Sequence, residues 1–275
     1  MSGSTTPGTC SASPATSVDS QKVVRGLLIR GMLAGLAAGV LMFVFAKVFG
    51  EPSIDRAIAF EEATSPPSDE APLVSRTMQA SLGLLTGTIV YAVAVGGVFA
   101  LVFAAVFGRV GHARPRVTAA TLALVAFAVI VLVPFLKYPS NPPAVGADET
   151  IASRTQNYFV MLLLSVVAAF AALRVGRDAV KRLGAWNGTL VAVGSYIALM
   201  VISQLLMPSL DETPAGFSAS VIYDFRLATL GTHAVLYATL GLGFGALAER
   251  WISQVRPAAA GTYRTSSLSA RAPHS

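Results

Sequence analysis

The chain has 275 residues, of which 54% are hydrophobic and only 12% are charged, and its formal net charge is +6. Soluble domains carry about 25% charged residues, so this composition excludes an ordinary soluble protein. Long apolar runs alternate with short charged segments, which is typical of several membrane spans of about 20 residues each. The positive charges lie beside the apolar runs, where they orient a membrane protein. The lipid bilayer is therefore an expected partner, and nucleic acid is not.

Six apolar runs follow one another along the chain between two polar tails. Residues 1–22 and 253–275 have almost nothing to bury, which predicts two disordered cytoplasmic tails. Residues 23–252 are predicted to form an all-α integral membrane domain of about six transmembrane helices. The fourth run is the shortest, and without it the count would be five. The candidate spans are residues 27–49, 82–107, 117–136, 157–175, 188–207 and 227–248.

Small residues recur at four-residue spacing in the first span, at Gly31, Gly35 and Gly39. Because glycine has no Cβ, such a ridge lets two helix backbones approach closely. This spacing predicts a compact helical bundle and says nothing about a substrate.

Charged residues are distributed unequally between the segments that join the spans. With both termini in the cytoplasm, most Lys and Arg lie on the inner side, and the positive-inside rule therefore predicts a cytoplasmic N-terminus and C-terminus. Most Asp and Glu then lie on the outer side. An acidic outer face attracts cations and raises their local concentration, although loop solubility is the simpler explanation for any single carboxylate.

The three outer segments resemble one another. Each contains a Pro-Ser pair near its start and ends with one arginine at the beginning of an inbound helix. The pairs occupy residues 52–53, 139–140 and 208–209, and the arginines are Arg76, Arg154 and Arg226. These likenesses predict three parallel helical hairpins of two spans each, and transporters often bind substrate where such repeats meet. The alternative is that Pro ends helices and Arg lies at interfaces in any membrane protein.

His233 is the one histidine predicted within a span, about two turns from Arg226, with Tyr237 about one turn deeper on the same face. An ionisable side chain inside the membrane is a functional candidate. Neutral imidazole is also a good ligand for cobalt, nickel, copper or zinc. His233 is therefore a candidate metal ligand, with a simple packing role as the alternative.

Outer carboxylates are the other candidate metal ligands. A short helix at residues 54–62 would bring Asp55, Ile58 and Glu62 to one face, and Glu51 is a further candidate ligand. Oxygen ligands favour harder cations and bind cobalt weakly, so these carboxylates predict a capture surface and not a tight site. The predicted substrate pathway consists of charged and aromatic residues near the outer ends of the spans, namely Arg76, Arg154, Arg226, Asp224, Tyr237 and Lys137.

Several catalytic motifs are absent from the sequence. It has no Gly-rich phosphate-binding loop, no paired-histidine zinc motif and no Gly-x-Ser-x-Gly elbow. We therefore expect neither ATP hydrolysis nor another enzymatic activity, and no permanently bound cofactor.

Several phrases of the sequence resemble the CbtA family. The most specific are Glu51-Pro52-x-x-Asp55-Arg56 and Lys137-Tyr138-Pro139, and the resemblance covers nearly all of residues 25–250. That family is described as the predicted membrane subunit of a cobalt transporter linked to cobalamin biosynthesis in bacteria. The resemblance implies a multi-pass protein of the bacterial plasma (inner) membrane with Co2+ as its substrate. The family is usually described with five spans, whereas six apolar runs are counted here.

The resemblance also implies a partner. The family's usual partner, CbtB, is a small single-span protein with a histidine-rich terminus, and the few histidines of this chain fit a system in which the partner supplies soft ligands. A homo-oligomer is also compatible with the sequence. Other functions stay open, namely a non-transporting membrane scaffold or accessory subunit and a permease for another small solute. An intramembrane enzyme acting on lipid is least favoured, because the spans supply few polar residues.

Overall fold

The computed structural model describes residues 14–64, 74–109, 113–146, 148–209 and 212–255, and within these ranges it contains helices and no strand. The helices are α1 (Pro14–Phe45), α2 (Glu51–Thr64), α3 (Arg76–Met78), α4 (Leu84–Val106), α5 (Pro115–Ala126), α6 (Val133–Lys137), α7 (Ile151–Leu206), α8 (Ala219–Thr239) and α9 (Gly245–Val255). Single π-helical turns, Ala46–Gly50, Gln79–Gly83, Phe127–Leu132 and Leu240–Phe244, join α1 to α2, α3 to α4, α5 to α6 and α8 to α9. The predicted tails lie outside the described residues, except that α1 already begins at Pro14 and α9 continues to Val255.

Five continuous helices in the described residues are long and apolar enough to cross a membrane. They are Gln21–Thr64, Arg76–Val106, Pro115–Lys137, Ile151–Leu206 and Ala219–Gln254. Large apolar side chains such as Leu163, Phe170 and Leu205 are exposed on their surface. A helix satisfies its backbone hydrogen bonds internally, so such a surface is suited to lipid. The prediction of an all-α membrane protein is confirmed, and the predicted fourth and fifth spans both lie in α7.

The helix α7 is divided at Gly184, whose φ of 82° and ψ of 167° are not helical. The two halves then lie against each other, because the hydroxyl groups of Ser165 and Tyr196 are 2.7 Å apart. In a straight helix, residues this far apart in sequence would be separated by about 45 Å. Closer to the bend, a Cβ on Gly176 would stand only 2.6 Å from the Cβ of Ala192. The 56 residues of α7 therefore form two antiparallel arms.

The helices α1 and α4 cross at a very short distance. A Cβ added to Gly35 would stand 2.9 Å from the Cα of Val93, and one added to Gly39 would stand 2.7 Å from the Cα of Ile89. No side chain fits at either distance, so glycine is what allows these backbones to touch. The ridge predicted from the first span therefore forms the packing surface of α1.

The largest buried cluster lies between α1, α4, α5 and the α8–α9 helix. Its centre holds Phe103 and Phe244, which pack edge to face with their ring centroids 5.1 Å apart. The helix α5 reaches this cluster because Gly241 and Gly245 lie against Ala119 and Ala123. The arms of α7 form a separate small cluster around Met161 and Met200, next to the end of α6.

The predicted grouping into three parallel hairpins stays a prediction. The first two long helices do pack against each other along α1 and α4. The third long helix, however, packs against α9 and the π-helical turn before it, as well as against α7.

Candidate functional site

Helix α2 and several of the segments that join the long helices are linked to one another at one end of the bundle, here called the network end. It comprises α2, the start of α3, residues 138–146 and 148–150, and residues 207–209 and 212–218. Hydrogen bonds and ion pairs link these segments across large sequence distances. These contacts therefore join parts of the chain that the predicted topology assigns to the outer face.

Arg76 binds two carboxylates at once. Its guanidinium forms an ion pair with Glu51 and donates hydrogen bonds of 3.0 and 3.2 Å to Oδ1 of Asp55. Glu51 is buried, with only 6% of its surface exposed. A buried carboxylate needs such a partner, because an unpaired charge away from water is costly. Two of the predicted metal ligands are thus already bound to a cation of the protein itself.

A second ion pair joins α2 to α8. The Nη2 atom of Arg56 lies 2.8 Å from Oδ2 of Asp224, and about half of each side chain is exposed. Arg56 also donates to the Oγ of the buried Ser53, at 3.2 Å. Asp224, predicted to lie on the substrate pathway, therefore serves here as a counterion. Glu62, on the last turn of α2, is exposed.

The other two predicted arginines bind residues of the 138–146 segment. The Nε atom of Arg154 lies 3.2 Å from the carboxylate of Glu212, and its Nη1 donates to the carbonyl of Val145 at 3.4 Å. Arg226 donates from Nη2 to the Oδ1 of Asn141 at 2.8 Å.

Gly146 accommodates the Arg154 side chain. Its φ is 122°, a conformation that side chains rarely adopt. A Cβ at this position would also stand only 2.5 Å from the guanidinium carbon of Arg154. Glycine is therefore required here both by the backbone and by the space that the arginine occupies.

A cavity of about 960 Å³ lies at the network end, between α6, the start of α7 and the start of α8. Three cationic side chains line it, those of Lys137, Arg154 and Arg226, and no acidic side chain is among the described residues of its wall. Leu136 and Tyr223, which also line it, are exposed, so the cavity opens at the surface.

His233 lies at the deep end of this cavity. It is on α8, about one turn beyond Thr229 and two turns beyond Arg226, which also line the cavity. Its Nδ1 is buried and has no hydrogen-bond partner among the described residues. The ring lies 6.0 Å from that of Tyr91 on α4.

Tyr237 does not reach the large cavity. It is buried, its ring lies 5.9 Å from that of Phe127, and it borders a separate apolar cavity of about 220 Å³ with Ala123 and Gly241. The structure therefore separates His233 from Tyr237, which the sequence placed on one pathway. The role of each predicted pathway residue stays a prediction.

The described residues do not assemble a metal site. No three His, Cys, Asp or Glu side chains among them lie close enough together to hold an ion. Glu51, Asp55, Glu62 and His233, the four predicted ligands, are thus not gathered into one coordination sphere. Their role as ligands stays a prediction.

One polar cluster inside the bundle was missed by the sequence reasoning. Ser165, which is fully buried, donates to the carbonyl of Val129 at 2.6 Å and lies 2.7 Å from the hydroxyl of Tyr196. The π-helical turn at Phe127–Leu132 shifts the local hydrogen-bond pattern, and a carbonyl in it is available to an outside donor. The three partners are far apart in sequence, and no local pattern indicates their contact.

The fold and the site together define a multi-pass helical membrane protein with a polar cavity at one end of its bundle. Residues 24–249 match the family described as "Probable cobalt transporter subunit (CbtA)". The chain belongs to the CbtA family. No curated protein and no solved structure matches it. Membership in a family of transporter subunits agrees with the expected membrane location and transport role, and the word subunit implies a partner in a transporter complex.

Proposed function

We propose that this chain is the membrane subunit of an uptake transporter for a divalent transition-metal cation, with Co2+ as its substrate. The family match over residues 24–249 carries the proposal. The cavity at the network end supports it, because a transporter needs a water-accessible polar space that enters the bundle. The cation is cargo in this proposal, and no resident cofactor is needed.

In the proposed topology the protein crosses the bacterial plasma membrane six times, with both termini in the cytoplasm. The bend at Gly184 supports counting α7 as two spans. A straight helix of 56 residues would be about 84 Å long, whereas the hydrocarbon core is about 30 Å thick. The network end then faces the outside.

Exposed carboxylates form the proposed capture surface for cations. Glu61, Glu62 and Glu149 are exposed, and the described residues give them no ion pair. Glu51 and Asp55 differ from them, because both form ion pairs with Arg76. We therefore assign the capture of cations to the exposed glutamates and a structural role to the paired carboxylates.

His233 is the proposed contact of this chain with the metal inside the bundle. Its free Nδ1 at the deep end of the cavity supports this role, since neutral imidazole is a suitable ligand for Co2+. One histidine does not hold a cation, and the remaining ligands would come from a partner. A small single-span subunit of the CbtB kind is the proposed source, and a second copy of this chain is the alternative.

Uptake of radioactive cobalt tests the proposal in a deletion strain that expresses the partner. The wild-type chain should restore uptake at limiting cobalt. His233→Ala should lower uptake at least about tenfold if the imidazole is a ligand, while Thr232→Ala, one residue away on α8, should retain it. Unchanged cobalt uptake in the deletion strain itself would refute the transport role and favour an accessory or scaffold role.

A further inference from the structure

The wall of the large cavity is positively charged. Lys137, Arg154 and Arg226 come from three different helices and converge on it. Glu212 offsets one of these charges through its ion pair with Arg154. Lys137 has no ion pair among the described residues, and so the described part of the wall keeps a net positive charge. A bare divalent cation would be repelled by this wall, whereas an anion would be attracted.

Hydrogen-bonding groups accompany these charges. Tyr158 and Thr155, whose side chains carry hydroxyl groups, are among the residues that line the cavity. Ser140 also lines it, and its Oγ is buried without a hydrogen-bond partner among the described residues. Buried polar atoms are nearly always paired in folded proteins, so an orphan on a cavity wall marks a position for a ligand or a water.

The cavity has the size of a small-molecule site. Its volume of about 960 Å³ lies in the range of about 300–1,000 Å³ that organic ligands occupy. A single inorganic ion would fill a small part of it. Positive charge, hydroxyl donors and this volume together fit a small organic molecule with several oxyanion groups.

We infer that this cavity binds a small polycarboxylate anion, with Lys137, Arg154 and Arg226 opposite its carboxylates. In combination with the proposed function, on which this extension rests, the metal enters the cavity as its anionic carboxylate complex and not as the bare ion. The exposed glutamates then attract the bare cation, whereas the cavity at the same end of the bundle binds the anionic complex.

Lys137→Gln is the variant that tests the anion site, because Arg154 and Arg226 also hold the 138–146 segment in place. The full chain, purified in neutral detergent, is titrated with citrate by calorimetry at low ionic strength. The wild-type protein should bind citrate, and Lys137→Gln should weaken binding at least about tenfold, as expected for the loss of a charged hydrogen-bond donor. Lys137→Arg should restore most of the affinity, and added salt should lower it.

Lys181→Gln is the matched control, since it removes the same charge near the bend of α7, far from the cavity, and should bind citrate as the wild type does. Equal binding by the two glutamine variants, or no citrate binding by the wild type at millimolar concentration, would overturn the inference. Repeating the titration in nanodiscs of zwitterionic or of anionic lipid identifies the source of the anion. Loss of citrate binding in the anionic discs alone would assign the cavity to a lipid headgroup and overturn the polycarboxylate.

The two proposals fail separately. Citrate binding that depends on Lys137, in a protein whose deletion leaves cobalt uptake unchanged, would refute only the transport role. Cobalt uptake that needs the chain but is insensitive to Lys137→Gln, together with no citrate binding, would refute only the anion site.

Discussion

Arg76→Gln is expected to destabilise the protein strongly at the network end. It removes the guanidinium that binds both Glu51 and Asp55 and leaves the carboxylate of Glu51, which is 6% exposed, without a cation. Removing one partner of a fully buried ion pair costs about 3–5 kcal/mol. Because the Arg76 side chain is 33% exposed, solvent compensates for part of this loss, and we expect a cost of about 2–3 kcal/mol in the free energy of unfolding.

Arg56→Gln provides the matched control, since it breaks the ion pair with Asp224, in which the two side chains are 47% and 44% exposed. Pairs of that kind contribute about 0–1 kcal/mol. Unfolding of the purified protein by sodium dodecyl sulfate, followed by circular dichroism, measures both changes. The double variant Glu51→Gln with Arg76→Gln should recover at least about 1 kcal/mol, because it no longer buries an unpaired charge. Equal effects of Arg76→Gln and Arg56→Gln would refute the reasoning.

Two further changes test the interior and the bend by the same unfolding measurement. Ser165→Ala should cost about 1–3 kcal/mol, because it leaves a buried carbonyl and the Tyr196 hydroxyl unpaired, whereas Ser195→Ala, which loses only a bond to its own helix, should change stability by less than about 0.5 kcal/mol. Gly184→Ala should cost about 1–3 kcal/mol through its backbone conformation alone, since its Cβ would meet open space. Gly194→Ala, also in open space but within a helical stretch, should be neutral or stabilising by up to about 1 kcal/mol.

The helices could be predicted from the sequence because the signal is local. Each apolar run is long enough to cross a membrane by itself, and Pro115 and Pro139 mark a helix start and the end of α6 within a residue or two. The glycine ridge of α1 is equally local, since its spacing alone places it on one face. These features depend on neighbours within one or two turns.

Partners across the network end could not be predicted, because they depend on tertiary packing. The sequence placed Arg76, Arg154 and Arg226 at the starts of inbound helices, which is correct for Arg76 and Arg154 but wrong for Arg226, which lies about two turns inside α8. Their partners lie elsewhere in the chain. The distribution of charges along the sequence does not show which outer carboxylates are paired. In the structure Arg76 binds Glu51 and Asp55. Helical spacing likewise placed Tyr237 on the same face of α8 as His233. The two positions differ slightly in direction around the helix, and the two residues border different cavities.

Cysteine labelling from outside the cell tests the sidedness and the number of spans together. In a Cys10→Ser background, a membrane-impermeant maleimide should react with Glu62→Cys and Glu149→Cys, since both side chains are exposed near the network end. It should fail to react with Arg114→Cys, just before α5, and with Lys181→Cys, near the bend of α7.

Arg154, near the start of α7, lies at the network end, and the following arm is about 45 Å long up to Gly184, which is enough to cross the bilayer once. Outside labelling of Lys181→Cys together with Glu149→Cys would show that this arm does not cross the membrane, and the six-span topology would be wrong. Labelling of Arg114→Cys without Glu62→Cys would invert the orientation, and the cavity with its cationic wall would then open to the cytoplasm.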